Sequence, residues 1–124
     1  MAWHCGDVAW ADLDPAVGHE QVKRRPVIVV SNDKFNRHST LTMVIPITST
    51  DTPYPLHLDV GLVPSESDEP PIRGYAEAEQ LKSLDLTARR AVKVGTINEE
   101  GMDKLLSLVL GCLVTPDMMI VAGY

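Results

Sequence analysis

Aromatic side chains are scarce in this 124-residue chain: one Phe, two Trp and three Tyr, 5% of the residues. That scarcity counts against a peptide-binding module, which needs an exposed aromatic groove. Cysteine is nearly absent as well. Cys5 and Cys112 lie far apart and match neither a disulfide framework nor a metal-ligand spacing. Cys5 beside His4 offers two ligand types, too few for a metal site. No apolar run nears the roughly 20 residues that span a bilayer. The first residues, Met1 to Asp7, carry no basic and apolar signal-peptide regions, and neither end carries a lipidation motif. There is no internal repeat and no low-complexity tract. One soluble, cytoplasmic domain is expected, with no metal and no cofactor.

Cations are also in deficit. Eleven Lys and Arg face 17 Asp and Glu, a net charge of −6. That sum argues against a nucleic-acid partner. Position qualifies it. Between residues 18 and 40 there are five basic residues (Lys23, Arg24, Arg25, Lys34, Arg37) and two acidic ones, Glu20 and Asp33. Between residues 51 and 80 seven acidic residues stand against Arg73 alone. A local basic surface on an acidic body would bind nucleic acid weakly and with strong salt dependence.

What is present in quantity is short strand material between turn signals. Residues 7–13 alternate loosely and suit a first strand, ended by Asp14-Pro15. Residues 26–31 are almost continuously apolar and β-branched, as in a central strand, with Pro26 tolerated at its start. Residues 32–36 suit one helical turn. Residues 41–48 suit a third strand, bent or edge-exposed at Pro46. Residues 56–60 alternate as a fourth, with His57 and Asp59 on its solvent face. Residues 61–73 read as a surface loop, 74–78 as a short strand, and 86–94 as a further strand with Arg89 and Arg90 in its middle and a break at Gly95-Thr96.

One convincing helix follows. Asn98 or Thr96 can cap it, and Glu99 and Glu100 suit its first turn. Met102, Leu105, Leu106, Val109, Cys112 and Leu113 recur at helical spacing and build an apolar stripe for one face of the sheet. The tail after Leu113 is left undecided between strand, docking segment and frayed end. Many short strands and a late helix predict a mainly β fold with a C-terminal helix, a small twisted barrel rather than a layered parallel sheet.

The chemistry concentrates in Gly18-His19-Glu20-Gln21-Val22-Lys23-Arg24-Arg25-Pro26. A carboxylate, an imidazole and three cations fall within seven residues, and a buried strand follows at once. A strand that fixes Arg25 beside a loop carrying Glu20 suits a phosphodiester, because the guanidinium fork matches phosphate oxygens and stays charged. An ion pair between Arg25 and Glu20 is the purely structural alternative. Phe35, Tyr54 and Tyr75 are candidate platforms for unpaired bases, or core residues.

Together these landmarks resemble the MazF/PemK family of bacterial toxins. The resemblance rests on Gly6-Asp7-Val8 with Trp10, on Asp14-Pro15, and on the Gly18–Pro26 segment with Val27 to Ser31. It continues through Pro46-Ile47-Thr48-Ser49, Glu79-Gln80-Leu81-Lys82-Ser83-Leu84, the Arg89-Arg90 pair and Val94-Gly95-Thr96-Ile97, running from about residue 6 to residue 113. It implies an SH3-like barrel, a homodimer, and a metal-independent endoribonuclease that cuts single-stranded RNA at short sequences. It also implies inhibition by an antitoxin with an acidic, partly disordered segment. By the same resemblance Arg25 and Thr48 are catalytic and Glu20 supports them. Some members carry His just before the arginine. Here that position is Arg24, and His19 is the nearest substitute. Lys23, Arg24, Ser49, Lys82, Arg89 and Phe35 are the expected RNA contacts. A second reading is a CcdB-like gyrase poison, acting by protein contact through its C-terminal helix. The ending Ala122-Gly123-Tyr124 lacks the aromatic-Gly-Ile pattern expected there.

Overall fold

A computed structural model describes residues 2–13 and 23–121. The chain runs β1 (Asp7–Asp12), β2 (Arg24–Val29), α1 (Asp33–His38), β3 (Thr42–Thr48), β4 (His57–Val63), β5 (Ile72–Glu77), a 3-10 turn (Ala78–Gln80), β6 (Lys82–Leu84), β7 (Val92–Thr96), α2 (Glu99–Leu113) and α3 (Pro116–Val121). The strands form one antiparallel sheet in the order β4-β5-β3-β2-β1-β7, with β6 beside β3. The sheet curls. Where the chain leaves β4, the Glu66 N–H donates to the Val94 carbonyl of β7, so the two ends of the sheet meet.

Each face of the sheet carries a core. The inner face collects Val8, Ile28, Ile45, Ile47, Val63 and Val94, and α2 inserts Met102, Leu105 and Val109 among them. The outer face collects Ala9, Ala11, Val27, Val29 and Val44 under Leu84 and Leu86. With both faces covered, β2 and β3 have no solvent side along their middles, which explains the unbroken apolar run of residues 27–30. The Asn98 Oδ1 accepts the Gly101 N–H at 2.7 Å and caps α2.

The structure corrects several sequence expectations. The loop expected over residues 14–24 ends sooner: β2 begins at Arg24, which joins Arg25 on the strand. Pro46 is buried in a central strand. The far edge of β3 pairs with β6 up to Val44 and with β5 from Ile47. Pro46 falls in the interval, where an absent N–H is tolerated. β4 continues to Val63, β5 starts at Ile72, and only residues 64–71 are loop. The strand expected over 86–94 is a turn at Leu86–Arg90 between β6 and β7, and Gly95 and Thr96 lie inside β7. The α2 stripe ends early: Val109 is buried, whereas Cys112 is exposed and Leu113 is 61% exposed. The tail forms α3 up to Val121. Among the described residues no helix is long and apolar enough to cross a membrane.

Two predictions follow from this packing. A Cβ on Gly74 would collide with the Thr48 carbonyl oxygen and stand 2.9 Å from Ile47 Cγ2. Gly74→Ala must therefore push β5 off β3. It should cost about 1–3 kcal/mol of stability, the usual range for overpacking, and denaturant melts will measure it. The two thiols should also differ. Cys5 is half-buried, and burial followed by Asp33 and Asp7 raises its pKa. Iodoacetamide should therefore alkylate exposed Cys112 first, and mass spectrometry of a time course will show the order.

Candidate active site

Strand register brings the expected residues together. The β2–β3 ladder pairs Val29 with Val44, Ile28 with Ile45 and Val27 with Pro46. Carried two residues outward, the same register sets Arg25 across from Thr48. β1 places Ala11 against Arg25, β5 places Tyr75 against Thr48, and β4 places Asp59 against Tyr75. Ala11, Arg25, Thr48, Tyr75 and Asp59 thus form one row across the outer face of the sheet, since side chains alternate along each strand. In the neighbouring row His57 pairs with Glu77.

Arg25 and Thr48 line a cleft of about 350 Å³ together with Glu77, Gln80 and Lys82, floored by Pro46. Arg25 is exposed and Thr48 half-buried. The Thr48 hydroxyl oxygen accepts the Thr50 N–H at 3.2 Å, which leaves its proton to donate outward. The β6 strand supplies Lys82, directly across from Val44. The cleft therefore holds two cations, a hydroxyl, an amide and a carboxylate. Such a set can bind an anionic oxygen and hydrogen-bond a polar ring beside it.

The other expected residues are placed differently. Glu20 and His19 lie outside the described residues. Lys23 is exposed at the edge of the ladder, its carbonyl accepting the Leu13 N–H at 3.0 Å. Arg24 points the opposite way from Arg25. It pairs with Asp12 at 3.0 Å and borders a second hollow of about 220 Å³ with Trp10, Ser49 and Arg73. Arg25 borders both spaces. Arg89 is not in the cleft. Its guanidinium donates to the carbonyls of Asp12 and Leu13 and fastens the end of β1. Phe35 is on α1, half-buried, at the other end of β2 and β3. The five residue steps from Arg25 to Val30 alone span roughly 16 Å. The structure does not bring Arg89 or Phe35 to Thr48.

Sequence reasoning gave Glu77 and Gln80 no site role. The signal for Glu77 was available: Ala76 and Ala78 are buried, so Glu77 must face outward. Nor does His57 occupy a solvent face. Its side chain is 10% exposed, its Nε2 lies 2.7 Å from Glu79 Oε1 and 3.8 Å from Glu77 Oε2, and Tyr54 packs edge-on against the ring. These three groups lie within 4.8 Å of one another and could offer one nitrogen and two oxygens to a cation. The buried Nδ1 has no hydrogen-bond partner among the described residues. A cation on Nε2 would require an N–H at Nδ1, hence an unpaired buried donor. The arrangement fits an Nε2–H donating to Glu79 better. Nearby, burial and then Asp51 and Asp59 raise the Tyr75 pKa, so its phenol keeps its proton.

The sequence profile described as a PemK-like, MazF-like toxin of type II toxin-antitoxin system matches residues 4–111. The chain is similar to the endoribonuclease toxin MazF of Escherichia coli (strain K12), 37% identical over 95 residues that cover 77% of this chain and 79% of that protein. It is similar to endoribonuclease EndoA of Bacillus subtilis, 35% identical over 104 residues covering 81% of this chain and 84% of that one. A crystal structure of MazE-MazF from Deinococcus radiodurans aligns with a TM-score of 0.75 at 26% identity, covering 91% of this chain and 96% of that chain. The profile spans every strand that shapes the cleft, and the chain belongs to the PemK-like, MazF-like toxin family of type II toxin–antitoxin systems.

Proposed function

We propose that this protein is the toxin of such a pair, a metal-independent endoribonuclease that cuts single-stranded RNA at specific sequences in the cytoplasm. The observation that carries this reading is the convergence of Arg25, Thr48 and Lys82 on one cleft, in a chain whose relatives are named endoribonucleases. Those names also favour it over a gyrase poison.

The nucleophile is the substrate's own 2′-hydroxyl. It attacks the adjacent phosphorus, the bond to the 5′-oxygen breaks, and the products are a 2′,3′-cyclic phosphate and a 5′-hydroxyl. One proton leaves the 2′-oxygen and one reaches the departing 5′-oxygen, for which Arg25 is the candidate donor. Arg25 holds the non-bridging oxygens and stabilises the charge that grows on them. Thr48 donates its hydroxyl hydrogen to the same group. Lys82 neutralises a neighbouring phosphate. Glu20 or His19 takes the 2′-hydroxyl proton.

Two protein partners belong to this reading. One is an antitoxin whose acidic segment occupies the cationic cleft; the Deinococcus relative was solved in a MazE-MazF complex. The other is a second copy of the chain. Leu110, Leu113, Met118 and Ile120 are 47–72% exposed and give α2 and α3 an apolar surface that a copy would cover.

Purified protein should cut a long single-stranded RNA in excess chelator and leave 5′-hydroxyl ends. Intact RNA would refute the reading. Arg25→Ala should lower kcat by about 10³-fold or more, in line with arginines that clamp a reacting phosphoryl group. Thr48→Val keeps the shape and should lose about 10²-fold. Lys82→Ala should weaken binding to all RNA sequences alike. It should also flatten the dependence of log affinity on log salt by about 0.7, the share of one phosphate on a single strand.

A further inference from the structure

Glu77 is out of place in a cleft for a polyanion. Its carboxylate lines the same space as Arg25, Thr48 and Lys82, and its side chain is 26% exposed. Among the described residues the one basic side-chain nitrogen within 4 Å of it is His57 Nε2 at 3.8 Å, and that nitrogen lies much closer to Glu79, at 2.7 Å. No described cation pairs with Glu77 at that distance. Its oxygens keep acceptor capacity, and its charge repels the phosphates that the neighbouring cations attract. A carboxylate so placed weakens RNA binding unless the RNA supplies donors to it.

We propose that Glu77 is a base-reading residue, and that it selects guanine at one position next to the cut. Unpaired bases are read on their Watson–Crick edges. On that edge guanine presents two adjacent donors, N1–H and the N2 amino group, which match the two oxygens of a carboxylate. Cytosine and adenine present one donor beside a ring acceptor. Uracil presents one donor between two carbonyls. Each of these sets an acceptor against the carboxylate, so all three are disfavoured. β5 holds Glu77 one row from Thr48, which places a base it reads beside the phosphate that Thr48 and Arg25 hold. Gln80, at the end of the 3-10 turn, lines the same wall. The proposal rests on the ribonuclease reading for the word "cut", but the guanine contact itself is a binding property.

Binding therefore tests it directly. Short single-stranded oligonucleotides with a 2′-deoxy nucleotide at the scissile position cannot be cleaved, and fluorescence anisotropy gives their affinities. The guanine to vary is the one that cut-site mapping or a scan of oligonucleotide positions identifies. Wild-type protein should lose roughly tenfold or more in affinity when that guanine is replaced by inosine, which lacks the N2 amino group. Glu77→Gln keeps the shape of the side chain and removes its charge. It should bind the guanine and inosine oligonucleotides alike, and should bind oligouridylate more tightly than wild type. That opposite sign separates base reading from damage to the fold, which would weaken every oligonucleotide. Equal guanine-to-inosine ratios in wild type and Glu77→Gln would overturn the proposal. So would a uniform loss of binding in Glu77→Gln with the guanine preference intact. A protein that discriminates guanine through Glu77 and cuts no RNA would refute the nuclease reading and leave this one standing.

Discussion

Val27 faces Pro46 across the β2–β3 ladder, and the positions of Arg25 and Thr48 follow from that pairing. A slip of one residue in either strand would turn its whole outer set of side chains to the inner face. Such a slip is blocked from both sides. Val27, Val29 and Val44 are fully buried on the outer face, and Ile28 and Ile45 on the inner one. Either slip would drive a buried set into contacts built for the other. The register is thus pinned by two cores at once, and Arg25 and Thr48 stand two residues beyond the last pinned pair. Preorganised donors act best when their supports do not move during reaction, and a doubly buried strand is such a support.

The same alternation gives adjacent arginines different work. Arg25 shares the outer face with Val27 and opens on the cleft. Arg24 shares the inner parity with Pro26 and is held by Asp12. An exposed pair of this kind contributes little to stability, at most about 1 kcal/mol, but it orients Arg24 toward the hollow that Trp10 and Ser49 border. Arg89, from the turn after β6, fixes the backbone of Asp12 and Leu13 and so holds the carboxylate that holds Arg24. The two arginines expected to contact RNA beside Arg25 are thereby both engaged at Asp12, Arg24 with its carboxylate and Arg89 with its carbonyl.

Much of this was legible in the sequence because its causes are local. The apolar run of residues 27–30 reports a strand covered on both faces. Asn98 with Glu99 and Glu100 reports a helix start, and the structure places the cap there. The rest depends on partners distant in sequence. Pro46 looked like an edge residue because a missing N–H is safest at an edge, and nothing local reveals that β3 changes neighbours at that point. Leu86 to Val94 looked like one strand because its apolar content is right. The turn within it exists because Arg89 reaches the end of β1 and Arg90 adopts a positive φ of 55°. Cys112 carries the helical spacing of a core residue, but α2 outruns the sheet that its earlier turns cover. The convergence of Arg25 and Thr48 was expected from resemblance alone; register supplies its physical reason. Alternation with Ala76 and Ala78 gives Glu77 its outward direction, but which groups share the cleft with it depends on strands distant in sequence.

The charge balance then has a function. A body of net charge −6 repels long RNA, so the cations of the cleft cannot hold a strand by electrostatics alone. Asp12 already occupies Arg24, and on the ribonuclease reading Glu77 would oppose phosphates held by Arg25 and Lys82. On the ribonuclease reading this arrangement would keep backbone affinity low and leave retention to contacts with the bases. An enzyme with a strongly basic cleft would hold every transcript and discriminate little, because the common term would swamp the base-specific one. With a small common term, as proposed for this cleft, a few hydrogen bonds to one base become a large part of the whole. On the ribonuclease reading, the acidic residues placed among the cations would shape specificity together with the cations themselves.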